Sequence, residues 1–216
     1  MSGQWAGPES GQCMIGSHPG GLSLTRRLFA LAGMTPPGRV LDLGAGKGEA
    51  VRHLREQGYQ AKGVDLLYRK PAEQESLVFG DMRAIPFPDG SMDLCLAECS
   101  ISGCGDGPAA LGEAFRVLRQ GGSLLLSDVF FHRGKAPSLS MPGPLGMDCW
   151  RSAFREAGFE VRGLVDETPL WREFYLESLW NGNADPACFD FFREAARAGC
   201  GYFLAWLWKG GDDGTV

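Results

Sequence analysis

The amino-acid sequence predicts a doubly wound α/β domain, and three observations support this fold class. Short apolar runs of strand length alternate with amphipathic segments of helical length along most of the chain. Four of the first five predicted strands end close to an acidic residue. The length, 216 residues, suits one domain with a sizeable core. Strands that alternate with helices form right-handed crossovers in a parallel sheet, and ligands then bind at the carboxyl ends of the strands.

The elements follow one another in a regular order. The predicted strands are "RVLDL" (39–43), "QAKGVDL" (60–66), "SLVFGD" (76–81), "MDLCLAE" (92–98), "SLLLSDVFF" (123–131), a strand after Gly158 that includes "FEV", and "GYFLAWLWK" (201–209). The predicted helices are 22–34, 47–59, 108–122 and the segment that starts at residue 147. Each shows apolar residues at helical spacing and stops near a glycine; the second, for example, has Val51 and Leu54 and ends at Gly58.

Composition excludes several classes of function. The formal net charge is −5 and the chain has no block of Lys or Arg, which argues against nucleic-acid binding. No apolar run reaches the roughly 18 residues that a membrane span needs, and the N-terminus lacks signal-peptide features. The seven cysteines include no C-x-x-C pair, so we expect neither a disulfide framework nor structural zinc. We therefore expect a cytoplasmic protein without a bound metal, a nucleic-acid partner or a membrane partner.

The most informative motif is "DLGAGKG", which follows the first strand. Gly44, Gly46 and Gly48 are spaced G-x-G-x-G, one residue shorter than the G-x-G-x-x-G dinucleotide fingerprint. Asp42 places a carboxylate beside this turn, which suits a ligand with a cationic end. Glycines at three alternate positions indicate that something approaches the backbone closely.

Acids at the next two strands extend this interpretation. Asp65 follows the second strand, where a carboxylate can accept hydrogen bonds from ribose hydroxyls. Asp81 and Met82 close the third strand and offer a carboxylate and a thioether, which suit an exocyclic amine and the face of an apolar ring.

With these motifs in order, the sequence resembles the class I S-adenosylmethionine-dependent methyltransferases. The similarity covers about residues 38–130, through "VLDLGAGKG", "GVDL", "GDMRAIPFPDGSMDLCLAE" and "EAFRVLRQGGSLLLSD", and it is strongest to small-molecule enzymes related to those of quinone biosynthesis. The resemblance implies a Rossmann-like doubly wound sheet of seven strands, mostly parallel with the last strand antiparallel. It also implies S-adenosyl-L-methionine as cofactor and S-adenosylhomocysteine as product.

The resemblance also implies a set of cofactor-binding positions. Asp65 would hold the ribose, Asp81 and Met82 would frame the adenine, and the glycine loop would pack against the methionine part. The full set implied is Asp42, Gly44, Ala45, Gly46, Gly48, Asp65, Leu66, Asp81, Met82 and Glu98. Lys47 departs from the small hydroxyl residue often found there in the family; it either points to solvent or contacts a carboxylate of the cofactor or substrate.

Methyl transfer needs a base only where the nucleophile must lose a proton, so catalytic residues are difficult to read from such a sequence. Glu98 is either a general base or a partner of loop amides or of the cofactor ammonium. His132, after the fifth strand, is the second catalytic candidate, and its alternative is an exposed loop histidine. His18 lies in "SHPGG", a segment that could fold over the site.

Two other functions stay open. Cys99 and Cys104 after the fourth strand would suit arsenite-type metalloid methylation through thiolates, although their spacing differs from that of relatives with this activity. A cofactor-binding regulatory protein without turnover is the other alternative.

The predicted organisation has three parts. Residues 1–21 form a flexible N-terminal segment that could act as a lid, and residues 22–210 form the methyltransferase domain. Within the domain, an aromatic-rich insertion on the substrate side covers about residues 166–199. The expected partner is a small-molecule acceptor, with a homodimer left open as the assembly state.

Overall fold

The computed structural model describes residues 18–66, 76–132, 146–180, 193 and 195–211, apart from the side chains of residues 178 and 179. The helices named there are α1 (Gly21–Leu31), α2 (Glu49–Glu56), α3 (Gly107–Val117), α4 (Met147–Glu156) and α5 (Thr168–Trp180). The strands are β1 (Arg39–Leu43), β2 (Gln60–Asp65), β3 (Leu77–Phe79), β4 (Met92–Glu98), β5 (Leu118–Phe131), β6 (Glu160–Asp166) and β7 (Cys200–Trp208).

The strands form one seven-stranded sheet in the order β3-β2-β1-β4-β5-β7-β6. Strands β1 to β5 pair in parallel, whereas β7 runs antiparallel to both β5 and β6. The predicted α/β class, the seven strands and the antiparallel last strand are thus confirmed. The order reverses between β1 and β4, so the crevice at their carboxyl ends is the expected ligand site.

Each face of the sheet carries its own apolar layer. On one face, Leu41 and Leu43 pack with α3 and α4, whose Trp150 and Phe154 are fully buried beside Phe203. On the other face, Val40 joins a layer that includes residues of α1 and α2. This alternation along β1 follows from the two-residue period of a strand, and burial on both faces explains why the strand reads as an apolar run.

The largest differences from the predicted boundaries lie at the junction of α3 and β5. β5 begins at Leu118, five residues before the predicted start, because its first residue already pairs with Met92 of β4 before a register shift. The helix α3 therefore ends at Val117 rather than within the glycine pair that follows. Gly121 has a φ of +74°, so the sequence places a glycine inside the strand where the backbone is irregular.

The aromatic-rich insertion begins as a helix. In α5, Trp171 is buried and stacks on Tyr175 with ring centroids 5.7 Å apart, so this face of the helix packs in the core. Trp180 at the end of α5 is 92% exposed. Most of residues 181–194 lie outside the described residues, as does the N-terminal segment 1–17 on which the lid prediction depends. Among the described helices, none has the length and apolar character that crossing a membrane requires.

Candidate active site

The glycine loop joins β1 to α2 at the carboxyl edge of the sheet. Gly44, Gly46 and Gly48 have φ values of +77°, +53° and +75°, a backbone region that residues with a Cβ rarely adopt. The loop is anchored to β2, because the amides of Gly44 and Ala45 both donate to the carbonyl of Val64. The loop conformation itself therefore requires glycines.

The surroundings of the three glycines differ. A Cβ on Gly44 would lie 2.7 Å from Cβ of Ser100 and 3.1 Å from Cε of Met82, and a Cβ on Gly48 would lie 2.8 Å from Leu77. A Cβ on Gly46 would meet no heavy atom within 4 Å. Protein packing thus accounts for the first and third glycines, and the open space above Gly46 is where a ligand can approach the loop.

Sheet register brings the acids at the strand ends to one face. Asp42 of β1 is paired with Gly63 of β2 and with Leu96 of β4. Asp65 and Glu98 each follow these partners by two residues, so all three carboxylates project from the same face. This face carries α1 and α2. The convergence follows from the parallel register and the period of two.

Asp42 and Glu98 are buried carboxyl groups. Asp42 is 5% exposed, and no described side chain donates a hydrogen bond to its carboxylate or forms an ion pair with it. Burial, and then the nearby charge of Asp65, raise the pKa of Asp42 to about 7. Burial, followed by the charge of Asp42, raises the pKa of Glu98 to about 8. A cationic group placed between these carboxylates would relieve both effects, because an opposite charge favours the ionised form.

Glu98 is held by residues from the N-terminal part of the chain. Thr25 of α1 donates its hydroxyl to the Glu98 carboxylate, with oxygen–oxygen distances of 2.9 and 3.2 Å. His18 Nε2 lies 3.5 Å from Glu98 Oε2. The predicted candidate Glu98 is therefore in the crevice, and its partners come from a segment preceding the first strand.

The predicted ribose and adenine positions line the neighbouring strands. Asp65 Oδ2 accepts a hydrogen bond of 2.9 Å from the amide of Gly46, so this acid also fixes the glycine loop. Leu66 follows β2 and is partly buried. Met82 reaches the glycine loop at Gly44. The surface around the glycine loop therefore has both a polar group, Asp65, and apolar groups, Leu66 and Met82.

Asp81 has a partner that sequence reasoning missed. Arg83 donates its backbone amide, Nε and Nη2 to the Asp81 carboxylate at 2.6 to 3.0 Å. This hydrogen bonding lowers the pKa of Asp81 below its usual range. The Asp81 carboxylate, which was predicted to bind the adenine amine, is thus already paired with Arg83. A ligand amine would have to share this carboxylate with Arg83.

The loop after β4 contains the cysteines considered for metalloid chemistry. Cys99 has a φ of +51°, and its Sγ lies 3.2 Å from the hydroxyl of Tyr202, which contacts Ser127 Oγ at 3.0 Å. Cys99 is exposed as a residue, although burial around its thiol raises the pKa of that group well above its usual range. Within the described ranges, no group of three His, Cys, Asp or Glu residues could hold a metal ion. Nothing in this arrangement supports the metalloid alternative.

His132 is placed differently from Glu98. It is exposed after β5, its amide donates to the carbonyl of Gly199, and its ring packs edge-on against Phe130 with centroids 4.8 Å apart. No described contact joins His132 to Glu98. A catalytic role for His132 stays a prediction.

Ser100 is a further residue that the sequence did not single out. Its hydroxyl oxygen is buried beside Gly44 and has no hydrogen-bond partner among the residues that the structure describes. An unpartnered buried hydroxyl is costly, and a polar ligand at the loop would satisfy it. Together with Asp42, Glu98 and the open space over Gly46, it fits a polar ligand with a cationic end, as S-adenosylmethionine is.

Comparison with known proteins agrees with this geometry. Residues 41–126 match a methyltransferase domain family. The chain is 34% identical over 122 residues to the malonyl-[acyl-carrier protein] O-methyltransferase of Serratia marcescens. The aligned residues cover 52% of this chain and 48% of that protein. It is also 34% identical over 113 residues to the demethylmenaquinone methyltransferase of Thermus thermophilus, covering 47% of this chain and 51% of that one. The chain spans about half the length of these curated relatives.

Solved structures share the fold over most of the chain. A putative sarcosine dimethylglycine methyltransferase from Galdieria sulphuraria superposes with a TM-score of 0.69 at 18% identity, over 87% of this chain and 84% of that one. The geranyl diphosphate C-methyltransferase of Streptomyces coelicolor A3(2), in complex with Mg²⁺, geranyl diphosphate and S-adenosyl-L-homocysteine, also gives a TM-score of 0.69, at 16% identity over 87% and 81%. The match over residues 41–126, the strand order and the glycine loop make the chain similar to class I S-adenosylmethionine-dependent methyltransferases.

Proposed function

We propose that the chain binds S-adenosyl-L-methionine and transfers its methyl group to a small-molecule acceptor. The observation that carries this proposal is the set of buried carboxylates, Asp42 and Glu98, beside a glycine loop with open space at Gly46. Buried carboxyl groups of raised pKa that no described Lys or Arg contacts suit a positively charged ligand. The names of the relatives, which include an O-methyltransferase and a C-methyltransferase, support the same class of reaction.

Each group at the crevice has a proposed role in binding the cofactor. Asp65 would accept the ribose hydroxyls, and Met82 would contact the adenine face while Asp81 shares its carboxylate between Arg83 and the adenine amine. Ser100 Oγ and the carboxylates of Asp42 and Glu98 would surround the methionine part. When bound, the cofactor supplies an electrophilic methyl group with a sulfide leaving group.

The protein contributes alignment, exclusion of water and, through Glu98, a site for a proton. The Glu98 side chain is 4% exposed, so a proton that it holds is shielded from bulk water. We place this chemistry in a domain of residues 22–210 and in the cytoplasm, which the five free cysteines among the described residues favour.

Isothermal titration with S-adenosylhomocysteine and with NAD tests the cofactor assignment. We expect binding of S-adenosylhomocysteine and none of NAD. Asp65→Ala should weaken binding about 100-fold, because hydrogen bonds to a charged acceptor contribute about 1.5–3 kcal/mol each. Asp148→Ala, the same change at an exposed acid on α4, is the matched control and should bind as the wild type does. Binding of NAD alone would refute the assignment.

Consumption of the methyl donor tests the reaction. The acceptor panel should include phenols, amines, thiols, carboxylic acids and arsenite, with methylated products identified by mass spectrometry. Tight binding of the cofactor without transfer to any acceptor would favour the non-catalytic regulatory protein. Methylation of arsenite alone would restore the metalloid alternative.

A further inference from the structure

The motif "SHPGG" forms a turn that places a histidine in the crevice. The carbonyl of His18 accepts a hydrogen bond of 3.1 Å from the amide of Gly21. Pro19 stands at the second position of this turn, and Gly20 at the third with φ +76° and ψ −9°. These are the residues and angles of a type II turn, in which proline presets the first corner and glycine supplies the positive φ at the second.

The turn is fixed on both sides. It leads directly into α1, since the amides of Ser23 and Leu24 donate to the carbonyl of Gly20. Gly20 has a positive φ and a Cβ there would lie 2.9 Å from a methyl group of Leu170 in α5, so glycine suits both the turn and the close approach of that helix. The position of the His18 ring is therefore set by the local turn and by packing against α5.

Hydrogen bonding assigns the tautomer of the ring. His18 Nδ1 lies 3.2 Å from the carbonyl oxygen of Pro19, which can only accept, so Nδ1 carries the hydrogen. In the neutral ring, Nε2 then presents a lone pair, and Nε2 lies 3.5 Å from Glu98 Oε2. Two acceptor atoms at this distance repel each other unless a proton binds to one of them.

We propose that His18 and Glu98 share one proton and together form the proton acceptor of the site, Glu98 on the acceptor side and His18 as a positioning residue acting through Glu98. This inference rests on the proposed function and specifies its substrate class. The acceptor has an exchangeable proton on a neutral O–H or N–H group. A carboxylate acceptor has no proton to lose, and it would meet the buried carboxylates Asp42 and Glu98.

The proton balance of the transfer is simple. When a neutral X–H group gains the methyl group, the X–H electron pair stays on X and one proton is released. Glu98 takes this proton while the proton that it already shares passes to His18 Nε2. The His18 side chain is 20% exposed against 4% for Glu98, so the histidine is the exit to solvent.

Other titratable groups influence the pKa values of His18 and Glu98. Asp42 of β1 acts on Glu98, and Glu49 of α2 acts on His18. Thr25 of α1 donates to Glu98, which favours its ionised form, while Cys99 and Tyr202 lie on the other side with the thiol and hydroxyl protonated. Burial lowers the pKa of His18 and raises that of Glu98, so near neutral pH the shared proton is on Glu98.

The ring signals of the histidines in NMR spectra recorded against pH test the pair without any acceptor. The chain has three histidines, so His18→Asn removes one signal and assigns it. We expect the His18 signal to show two inflections, its own below the usual histidine range and a second near pH 8 from loss of the Glu98 proton. Glu98→Gln should abolish the second inflection. His53→Asn, at the surface beside Arg26, is the matched control and should leave both.

The outcomes separate the inference from the proposed function. Absence of the second inflection in the wild type, or its persistence in Glu98→Gln, overturns the inference. If Glu98→Gln does not fold, Asp42→Asn takes its place: it should move the second inflection to lower pH, and an unmoved inflection overturns the inference. Methylation of a carboxylate at an unchanged rate in His18→Asn would also overturn it. Failure of the wild type to bind S-adenosylhomocysteine would instead refute the proposed function.

Discussion

At the amino ends of β1, β4 and β5, the carboxylate of Asp93 is bound by two arginines, whereas no described Lys or Arg contacts the buried acids at the carboxyl ends of the same strands. Arg39 donates its amide, Nε and Nη2 to Asp93, and Arg119 donates Nε, at 2.7 to 3.1 Å. Hydrogen bonding to Arg39 holds the pKa of Asp93 well below its usual range. Burial does the opposite to Asp42 and Glu98.

This difference separates groups that stabilise the fold from groups that stabilise a ligand. A carboxyl group with a lowered pKa stabilises the folded state at neutral pH, and one with a raised pKa destabilises it. The carboxyl ends of β1 and β4 thus hold acids whose ionised form is disfavoured by burial. Such an arrangement is typical of functional sites, where stability is reduced in favour of binding.

The largest expected effect is on stability when Asp42 is replaced by Asn. The pKa of Asp42 in the folded state, about 7, lies above its unfolded value of 3.8. Stability from this group is therefore fully present below about pH 4 and is lost as the pH rises through about 7. Asp42→Asn should raise the free energy of unfolding by up to about 4 kcal/mol at pH 8. The gain should shrink toward pH 4.

Urea unfolding at pH 8 and pH 4.5 without cofactor measures this effect. The same variant should bind S-adenosylhomocysteine more weakly, because the ligand loses a buried carboxylate. A variant less stable than the wild type at pH 8 would show that Asp42 has a stabilising partner, and the contrast between the two ends of the sheet would fail.

Asp128 allows a second comparison, between two buried acids that both lie at the carboxyl ends of strands. It lies in β5 on the opposite face from Asp42, where Oδ2 accepts from the amide of Ser102, and Oδ1 from the Ser102 hydroxyl and the Val129 amide. Burial still raises the pKa of Asp128 to about 6, but the hydrogen bonds oppose the shift. Asp128 thus holds the loop after β4 in place.

Asp128→Asn should stabilise the protein at pH 8 much less than Asp42→Asn, because a gain of up to about 3 kcal/mol from removing a buried charge is offset by a loss of about 1–3 kcal/mol when a buried N–H loses its acceptor. An amide has one oxygen, so a buried N–H of Ser102 or Val129 would lose its acceptor. The measurement is urea unfolding under identical conditions for both variants. Equal stabilisation by the two substitutions would mean that burial alone, and not hydrogen bonding, decides their effects.

The sequence was sufficient to predict that the acids converge, but not to predict which residues contact them. Strand periodicity and parallel register account for the convergence of Asp42, Asp65 and Glu98. The contacts of Thr25 and His18 with Glu98 depend on how α1 docks on the sheet, which no local pattern specifies. The residues "HPGG" indicate a type II turn, but they do not indicate that this turn would place His18 near Glu98.

Local propensity also failed where tertiary pairing decided the outcome. The glycine pair before the predicted start of β5 reads as a helix stop, yet Leu118 already pairs with β4. Arg83 captures Asp81 through side-chain geometry between residues two positions apart, for which neither the strand nor the glycine motif gives a signal. Both failures concern contacts, not the order of elements.

The smallest expected effect is at the amino end, where Asp93→Asn removes a paired carboxylate. The Asp93 side chain is 27% exposed and its two arginine partners are about half exposed, so solvent screens the pairs. We expect a loss of about 1 kcal/mol in the free energy of unfolding at pH 7, the upper range for exposed pairs. Because the folded pKa is lowered, this stabilisation is present above about pH 4 and is lost as the pH falls further toward the folded value. Unfolding at pH 7 in low salt and in 1 M NaCl, and again at pH 3, measures it; the difference between variant and wild type should shrink with salt and with acid. A difference that grows in acid would place Asp93 among the groups with raised pKa, and the two ends of the sheet would then not differ in the way that their hydrogen bonds indicate.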